Sequence, residues 1–310
     1  MPAKRVRRLD SVEWRTSNLH DLWSSSEKGE SFEFSGSLHS FLQYSLLLRE
    51  IRQQFNSDDA LLHFDANLFF LRGGYFAFAY LNVTSPMALR ATIFGGLNHG
   101  RHPKNELPVF LRQLRDSVVS SGRSTINMLI IDEVKSGSGM NQILKIVEQS
   151  MGMWPGSAKC DVTIHFYAIR PGSSDYMSDD LQNAVRKWLG MHNTNGGRLF
   201  IEIKHFAGPL LSYDDDILCG VRKLSKGADL NEAYELVKLS GGKVTLHCDC
   251  TGSPVFQADI GTNCLVEFLA SCAVKWTSDA QSALTIALAR DIETQGCSIC
   301  RDLYLSSTAA

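Results

Sequence analysis

Apolar positions along the chain recur with two periods, and the alternation between them sets out most of the predicted elements. In "SFLQYSLLLREIRQQF", Phe41, Leu42, Ser45, Leu48, Ile51 and Phe55 fall near one face of a helix. "NLFFLRGGYFAFAYLNV" follows, with an apolar run over residues 68–71 suited to a strand buried on both faces. Gly73 and Gly74 interrupt it, and a helix-like apolar stretch resumes. "INMLII" reads as a second buried strand; Met140, Ile143, Leu144, Val147 and Met151 then keep helical spacing. "CDVTIHFYAI" is a third strand candidate. "SDDLQNAVRKWLG" carries a candidate N-cap, Ser178, and a candidate stop, Gly190. "RLFIEIKHF" alternates as a half-exposed strand does. Strands alternating with helices of this length predict an α/β fold with a mostly parallel sheet flanked by helices.

The two ends follow a weaker pattern. Residues 1–38 are polar and irregular, and the basic start "AKRVRR" is soon diluted by Asp10 and Glu13, so a solvated arm is expected. The main α/β domain is expected over residues 39–225. Residues 226–310 form a C-terminal α/β extension or cap, in which "LNEAYELVKL" looks helical and "KVTLHCDC" looks like a strand. Two further helices are expected around residues 265–276 and 278–295, the second with a Ser278/Gln281 capping box and Gly296 as its stop.

Composition narrows the function classes. Apolar residues make up 44% and charged residues 21% of the 310, with a net charge of −2. That balance gives no strong nucleic-acid signal and no membrane signal. No apolar run reaches the length of a membrane span and no signal-peptide core opens the sequence, so a cytoplasmic protein is expected. Eight Cys in a chain of this size imply reduced thiols rather than a disulfide scaffold.

The candidate chemistry centres on "IIDEVKSGSGMN", residues 130–141. A Gly-rich turn between a parallel strand and a helix presents backbone N–H groups at the positive end of the helix dipole, which suits a phosphate. Gly137 and Gly139 match part of the dinucleotide fingerprint, but Gln142 holds its third glycine position, and the Gly-Lys-Ser/Thr ending of a triphosphate loop is absent. Asp132 and Glu133 precede the loop and would repel a pyrophosphate laid across them. A ribose 5-phosphate removes the conflict. The loop takes the phosphate, and ionised carboxylates accept hydrogen bonds from the 2′ and 3′ hydroxyls.

At these residues the chain resembles the type I phosphoribosyltransferases, whose signature is four apolar residues, two acidic residues and a Ser/Thr/Gly loop opening a helix. "MLIIDEVKSGSGMN" is similar to it, and "FFLRGGYFAFAYL" is similar to the family's pyrophosphate loop. Arg72 and Asp132 are 60 residues apart, a spacing usual in the family. The resemblance covers residues 40–223. It implies a phosphoribosyltransferase-like fold and Mg-dependent transfer of a phosphoribosyl group between phosphoribosyl pyrophosphate and a nucleobase-like acceptor. Asp132 and Glu133 would be the catalytic acid pair. Ser136, Gly137, Ser138, Gly139 and Met140 would hold the 5′-phosphate, and Arg72, Gly73 and Gly74 the pyrophosphate. A mobile loop over residues 95–108, with Arg101, His102 and Lys104, would close the site. Tyr213 and Asp214, Asp215 and Asp216 are candidates to contact the base, although a polar turn explains them as well. Met140 stands where family loops usually end in Thr, and Lys135 is unusual inside the loop. The alternative implied by these departures is a catalytically weak sensor of a nucleotide or of phosphoribosyl pyrophosphate, acting in regulation or a microbial stress or conflict system. A homodimer is left open.

"HCDC" and "CSIC" place His247, Cys248, Cys250, Cys297 and Cys300 among the soft-ligand candidates. Cys-x-x-Cys is a common half of a zinc site, whereas Cys-x-Cys is a poorer one. Buried thiols, with no stoichiometric zinc and no metal ligand set, are the expectation.

Overall fold

The computed structural model describes residues 29–55, 58–70, 73–84, 91–94, 103–156, 159–172, 178–210, 221–223, 234–236, 238–260 and 283–308. The chain runs β1 (Gly29–Ser37), α1 (Leu38–Gln53), α2 (Asp58–Leu62), β2 (Ala66–Phe70), α3 (Tyr75–Thr84), β3 (Ala91–Phe94), α4 (Pro103–Ser120), β4 (Thr125–Glu133), α5 (Ser138–Gly152), β5 (Asp161–Arg170), α6 (Asp179–Trp188), β6 (Gly190–Thr194) and β7 (Gly197–Ala207). It continues through β8 (Val221–Lys223), β9 (Tyr234–Leu236), β10 (Lys238–His247), β11 (Pro254–Ile260), α7 (Ala283–Gln295) and α8 (Ser298–Thr308).

The fold is α/β around a mixed six-stranded sheet of order β3-β2-β4-β5-β7-β6. β3, β2, β4, β5 and β7 pair in parallel, and β6 closes the edge as an antiparallel hairpin with β7. Continuous apolar runs produce the central strands, because helices cover both faces. All five residues of β2 are buried, as are the last six of β4. Alternate residues of β4 serve opposite cores. Leu129 and Ile131 pack with α1, α3, α7 and α8, whereas Met128 and Ile130 pack with α4, α5 and α6. Each such side chain contributes roughly 1.5–3 kcal/mol on burial. Ser178 caps α6 as its position predicts, its hydroxyl accepting from the Leu181 N–H at 3.3 Å.

The ends depart from expectation. The arm is not wholly irregular: β1 pairs in parallel with β10, from Gly29 opposite Lys238 to Ser37 opposite His247. β10 pairs antiparallel with β11, so arm and tail share a separate three-stranded sheet. "LNEAYELVKL" is not a helix, because Tyr234–Leu236 pairs with Val221–Lys223 and Lys238 already begins β10. Pairing with distant strands overrides its local helical spacing. The loop expected over residues 95–108 is helical from Pro103 onward, which places Lys104 in α4; Arg101 and His102 lie outside the described residues. The helix expected around residues 265–276 also lies outside them. No helix among the described residues is long and apolar enough to cross a membrane.

Candidate functional site

β2 and β4 are parallel neighbours, with Phe69 opposite Ile131. From β2 the chain turns towards β3 on one side, and from β4 it turns towards β5 on the other. Connections that part in this way leave a crevice outside the carboxyl ends of the two strands, the usual ligand position in open parallel sheets. The Gly73–Gly74 turn packs on this end of β4, and the loop over residues 134–137 runs on from β4 towards α6.

Gly73 lies directly on the end of β4. A Cβ there would collide with Asp132 Oδ1 and sit 2.8 Å from the Glu133 nitrogen. A Cβ at Gly74 would sit 2.7 Å from the Ile131 carbonyl oxygen and 2.8 Å from the Phe70 nitrogen. The Gly74 N–H donates to the Phe70 carbonyl at 2.8 Å and its carbonyl accepts from the Phe78 N–H at 3.0 Å, so the turn leads straight into α3. The two glycine-containing segments chosen from the sequence therefore meet.

The acid pair forms the last two residues of β4 rather than a loop. Successive strand residues face opposite sides, and the two carboxylates separate accordingly. Glu133 Oε1 accepts a 2.8 Å hydrogen bond from the hydroxyl of Tyr44 on α1, and both residues are buried. Burial, followed by the negative charge of Glu133, pushes the Tyr44 phenol well above its ordinary range, so it remains a donor. Asp132 lies under Gly73 and is 8% exposed. Burial first, and the Glu133 charge second, push its carboxyl well above the ordinary range, partly offset by the Glu133 backbone N–H.

The next loop opens α5. The Val134 N–H donates to the Ile169 carbonyl at 2.6 Å, tying the start of the loop to β5. Gly137 is the N-cap of α5 with φ 77°, a left-handed conformation that favours glycine, and no side chain caps the helix. Ser136 and Ser138 are exposed. They line an open cleft of about 360 Å³ whose far wall, on α6, includes Asp180 and Lys187. Asn141 is held at the floor by donors from Lys187 Nζ at 3.2 Å and Trp188 Nε1 at 2.8 Å. Gly139 is part of the first turn, and Lys135 is exposed. Met140 differs from its expected role: its side chain is fully buried among the apolar residues beneath α5, so only its backbone belongs to the loop.

Arg72, Tyr213, Asp214, Asp215 and Asp216 lie outside the described residues. Two residues not singled out from the sequence join the site region. Tyr44 reaches it from α1, a helix whose periodicity signals only packing. Arg170, 6% exposed, ends β5 beside the Glu133–Ile169 pairing. Its charge adds to burial in holding the His205 imidazole below its ordinary range. A cation directly after the apolar run at the end of β5 was the available signal for Arg170.

A second cluster stands apart from this crevice. Sγ of Cys248, Cys297 and Cys300 lie within 4.8 Å of one another. Cys250 Sγ is 3.4 Å from Cys297 Sγ. The "HCDC" and "CSIC" segments, separate in sequence, are thus brought together. Comparison with protein-family models, with curated proteins and with solved structures finds no match to the chain.

Proposed function

We propose that the crevice between β2 and β4 binds phosphoribosyl pyrophosphate and that the chain transfers its phosphoribosyl group to or from a nucleobase-like acceptor, on a phosphoribosyltransferase-like fold. The observation that carries this reading is the contact of Gly73 with the Asp132–Glu133 strand end, which sets a glycine turn against the acid pair at a topological switch point, with the second glycine loop following the acid pair along the chain. Asp132 accepts from the ribose hydroxyls, while Glu133 is a positioning residue held by Tyr44. The N–H groups at Gly137, Ser138 and Gly139, with the Ser136 and Ser138 hydroxyls, take the 5′-phosphate. The turn at Gly73 and Gly74, with Arg72, receives the pyrophosphate. The protein's part in the reaction is positioning and charge stabilisation as the C1–pyrophosphate bond lengthens and positive charge grows on the ribose. Asp132 would lie near a Mg²⁺ brought with the substrate, and that ion would supply neutralising charge. An acid whose ionisation is opposed by burial and by Glu133 fits a neighbouring cation.

A sensor that binds the same ligand with little turnover is the second reading. Two observations favour it: Met140 brings no hydroxyl to the loop, and Glu133 is engaged by Tyr44. Isotope-labelled phosphoribosyl pyrophosphate, incubated with Mg²⁺ and a panel of bases, tests both. Labelled nucleotide supports the transferase, and saturable binding without product supports the sensor. Binding that persists unchanged in Asp132→Asn removes this crevice from either role.

A further inference from the structure

Three thiols, Cys248, Cys297 and Cys300, lie within 4.8 Å of one another, and Cys250 borders the group through Cys297. Cys248 and Cys250 belong to the turn joining β10 to β11, which is closed by the Gly252 N–H donating to the Cys248 carbonyl at 2.7 Å and the Cys248 N–H donating to Ser253 at 2.9 Å. Cys297 immediately precedes α8, and Cys300 lies in its first turn. The sulfurs of Cys250 and Cys297 are 3.4 Å apart, and those of Cys248 and Cys300 4.0 Å. All four are free thiols. A disulfide needs a separation of about 2.05 Å, so neither pair is bonded. A tetrahedral ion with metal–sulfur bonds of about 2.3 Å requires sulfurs about 3.8 Å apart, and the two observed separations straddle that value.

We propose that Cys248, Cys250, Cys297 and Cys300 bind one Zn²⁺ as a structural tetrathiolate. Thiolates are soft ligands, and a tetrahedral four-sulfur set suits zinc or iron. Zinc is assigned because the site closes a β-turn onto a helix end, with all four ligands from protein and no position left for water or substrate. The weakness of Cys-x-Cys as half a site is offset by the turn over residues 248–252, which sets Cys248 beside Cys300 and Cys250 beside Cys297; on loading, the exposed Cys250 side chain swings in to complete the set. Cys248 and Cys300 are buried, whereas Cys250 is exposed, giving the ion a way in. His247 is not a ligand: its Nε2 lies 2.9 Å from Ser35 Oγ and its Nδ1 3.3 Å from the Gly252 carbonyl oxygen, so it holds the turn from outside. On loading, the four S–H groups release their protons to solvent as four Zn–S bonds form.

The same turn reaches the other end of the chain. Asp249 Oδ2, between the two cysteines, accepts from Ser37 Oγ at 2.8 Å and from the His39 N–H at 3.0 Å, at the start of α1. Zinc would thus pin α8 and the β10–β11 turn together against the helix that carries Tyr44. This inference is independent of what the β2–β4 crevice binds.

The test is elemental analysis of the full chain, produced without a metal-binding tag. The expected result is about one zinc per chain, fully lost in Cys297→Ser with Cys300→Ser. Should that variant fail to fold, Cys250→Ser at the exposed edge is expected to weaken zinc retention against a chelator. Co²⁺ added to zinc-stripped wild-type protein is expected to give the intense thiolate-to-metal absorption and tetrahedral bands of a four-sulfur site. Three outcomes would overturn the proposal: iron in place of zinc, a purified chain whose four thiols all react freely and whose Co²⁺ spectrum lacks thiolate bands, or a mass two hydrogens lower showing a Cys250–Cys297 disulfide.

Discussion

At Glu133 a buried carboxylate accepts from a buried phenol. Tyr44 donates to it at 2.8 Å from a position that is itself fully buried. Hydrogen bonds to charged groups contribute roughly 1.5–3 kcal/mol, and removing the donor leaves the acceptor's desolvation uncompensated. Tyr44→Phe is therefore expected to destabilise the chain by about 2 kcal/mol in denaturant unfolding. Glu133→Gln, which keeps an acceptor and sheds the charge, should cost less. A negligible loss in Tyr44→Phe, which keeps the ring and removes only the hydroxyl, would show that Tyr44 acts through packing alone. Asp132 obeys the opposite logic. Its carboxyl is raised by burial and by Glu133, so the folded state holds this proton more tightly than the unfolded chain does. Its contribution to stability therefore falls as pH rises from the unfolded carboxylate range towards the raised folded value, and the full cost is present above that value. Asp132→Asn removes the cost. It should raise the melting temperature at neutral pH, flatten the decline with pH, and weaken phosphoribosyl pyrophosphate binding at least tenfold. A lower melting temperature in Asp132→Asn would mean that the carboxylate is fully satisfied within the fold and is not held for a ligand.

The turn after β2 separates two roles that its sequence, "RGG", leaves merged. A Cβ at Gly74 meets backbone of two strands, the Ile131 oxygen and the Phe70 nitrogen, whereas one at Gly73 meets the Asp132 carboxylate as well as the Glu133 nitrogen. Gly74→Ala is thus expected to lower the melting temperature sharply, since backbone in two central strands cannot give way. Gly73→Ala is expected to displace the Asp132 side chain and press on the Glu133 nitrogen, lowering stability as well, and to cost more affinity for pyrophosphate-bearing ligands than for ribose 5-phosphate. Comparing both affinities with thermal stability for the two variants checks this, and a matching profile would remove Gly73 from the site. Elements of this kind were legible because a central parallel strand carries a dense apolar run; β2, β4, β5 and the helix after each announce themselves locally. The acid pair and the glycine loop were legible for the same reason. That Asp132 and Glu133 face opposite sides follows from strand pleating, but only once the strand is known to extend through both. Met140 shows the converse. Its place in the motif suggested a ligand contact, while its place in the i, i+3, i+4 pattern of α5 committed the side chain to the core.

Across the whole molecule the hidden features are those made by pairing at long range. β1 has no meaning without β10, and Cys250 meets Cys297 only because β11 and α7 bring the chain back, a separation of 47 residues that no local pattern records. The same closure joins α8 to α1, where Arg49 Nη1 donates to the Ser306 carbonyl at 3.0 Å. One apolar core runs from Ile131 on β4 through Tyr44 and Leu48 to Phe256, Ile292 and Cys300. The arm, α1 and the tail should therefore open as one cooperative unit. Asp249 is the residue on which to test this, because it lies in the tail yet holds the start of α1 through Ser37 Oγ and the His39 N–H. Ser37 in turn caps α1, accepting from the Ser40 N–H at 2.9 Å. Asp249→Ala removes an acceptor comparable to an N-cap, with a cost of about 1 kcal/mol. Hydrogen exchange should then quicken together in the 248–253 turn, in β1 and in the first turn of α1, while β4 and β5 keep their protection. Faster exchange confined to the 248–253 turn would mean that the tail is only laid against α1, and that coupling from the cysteine cluster to Tyr44 does not exist.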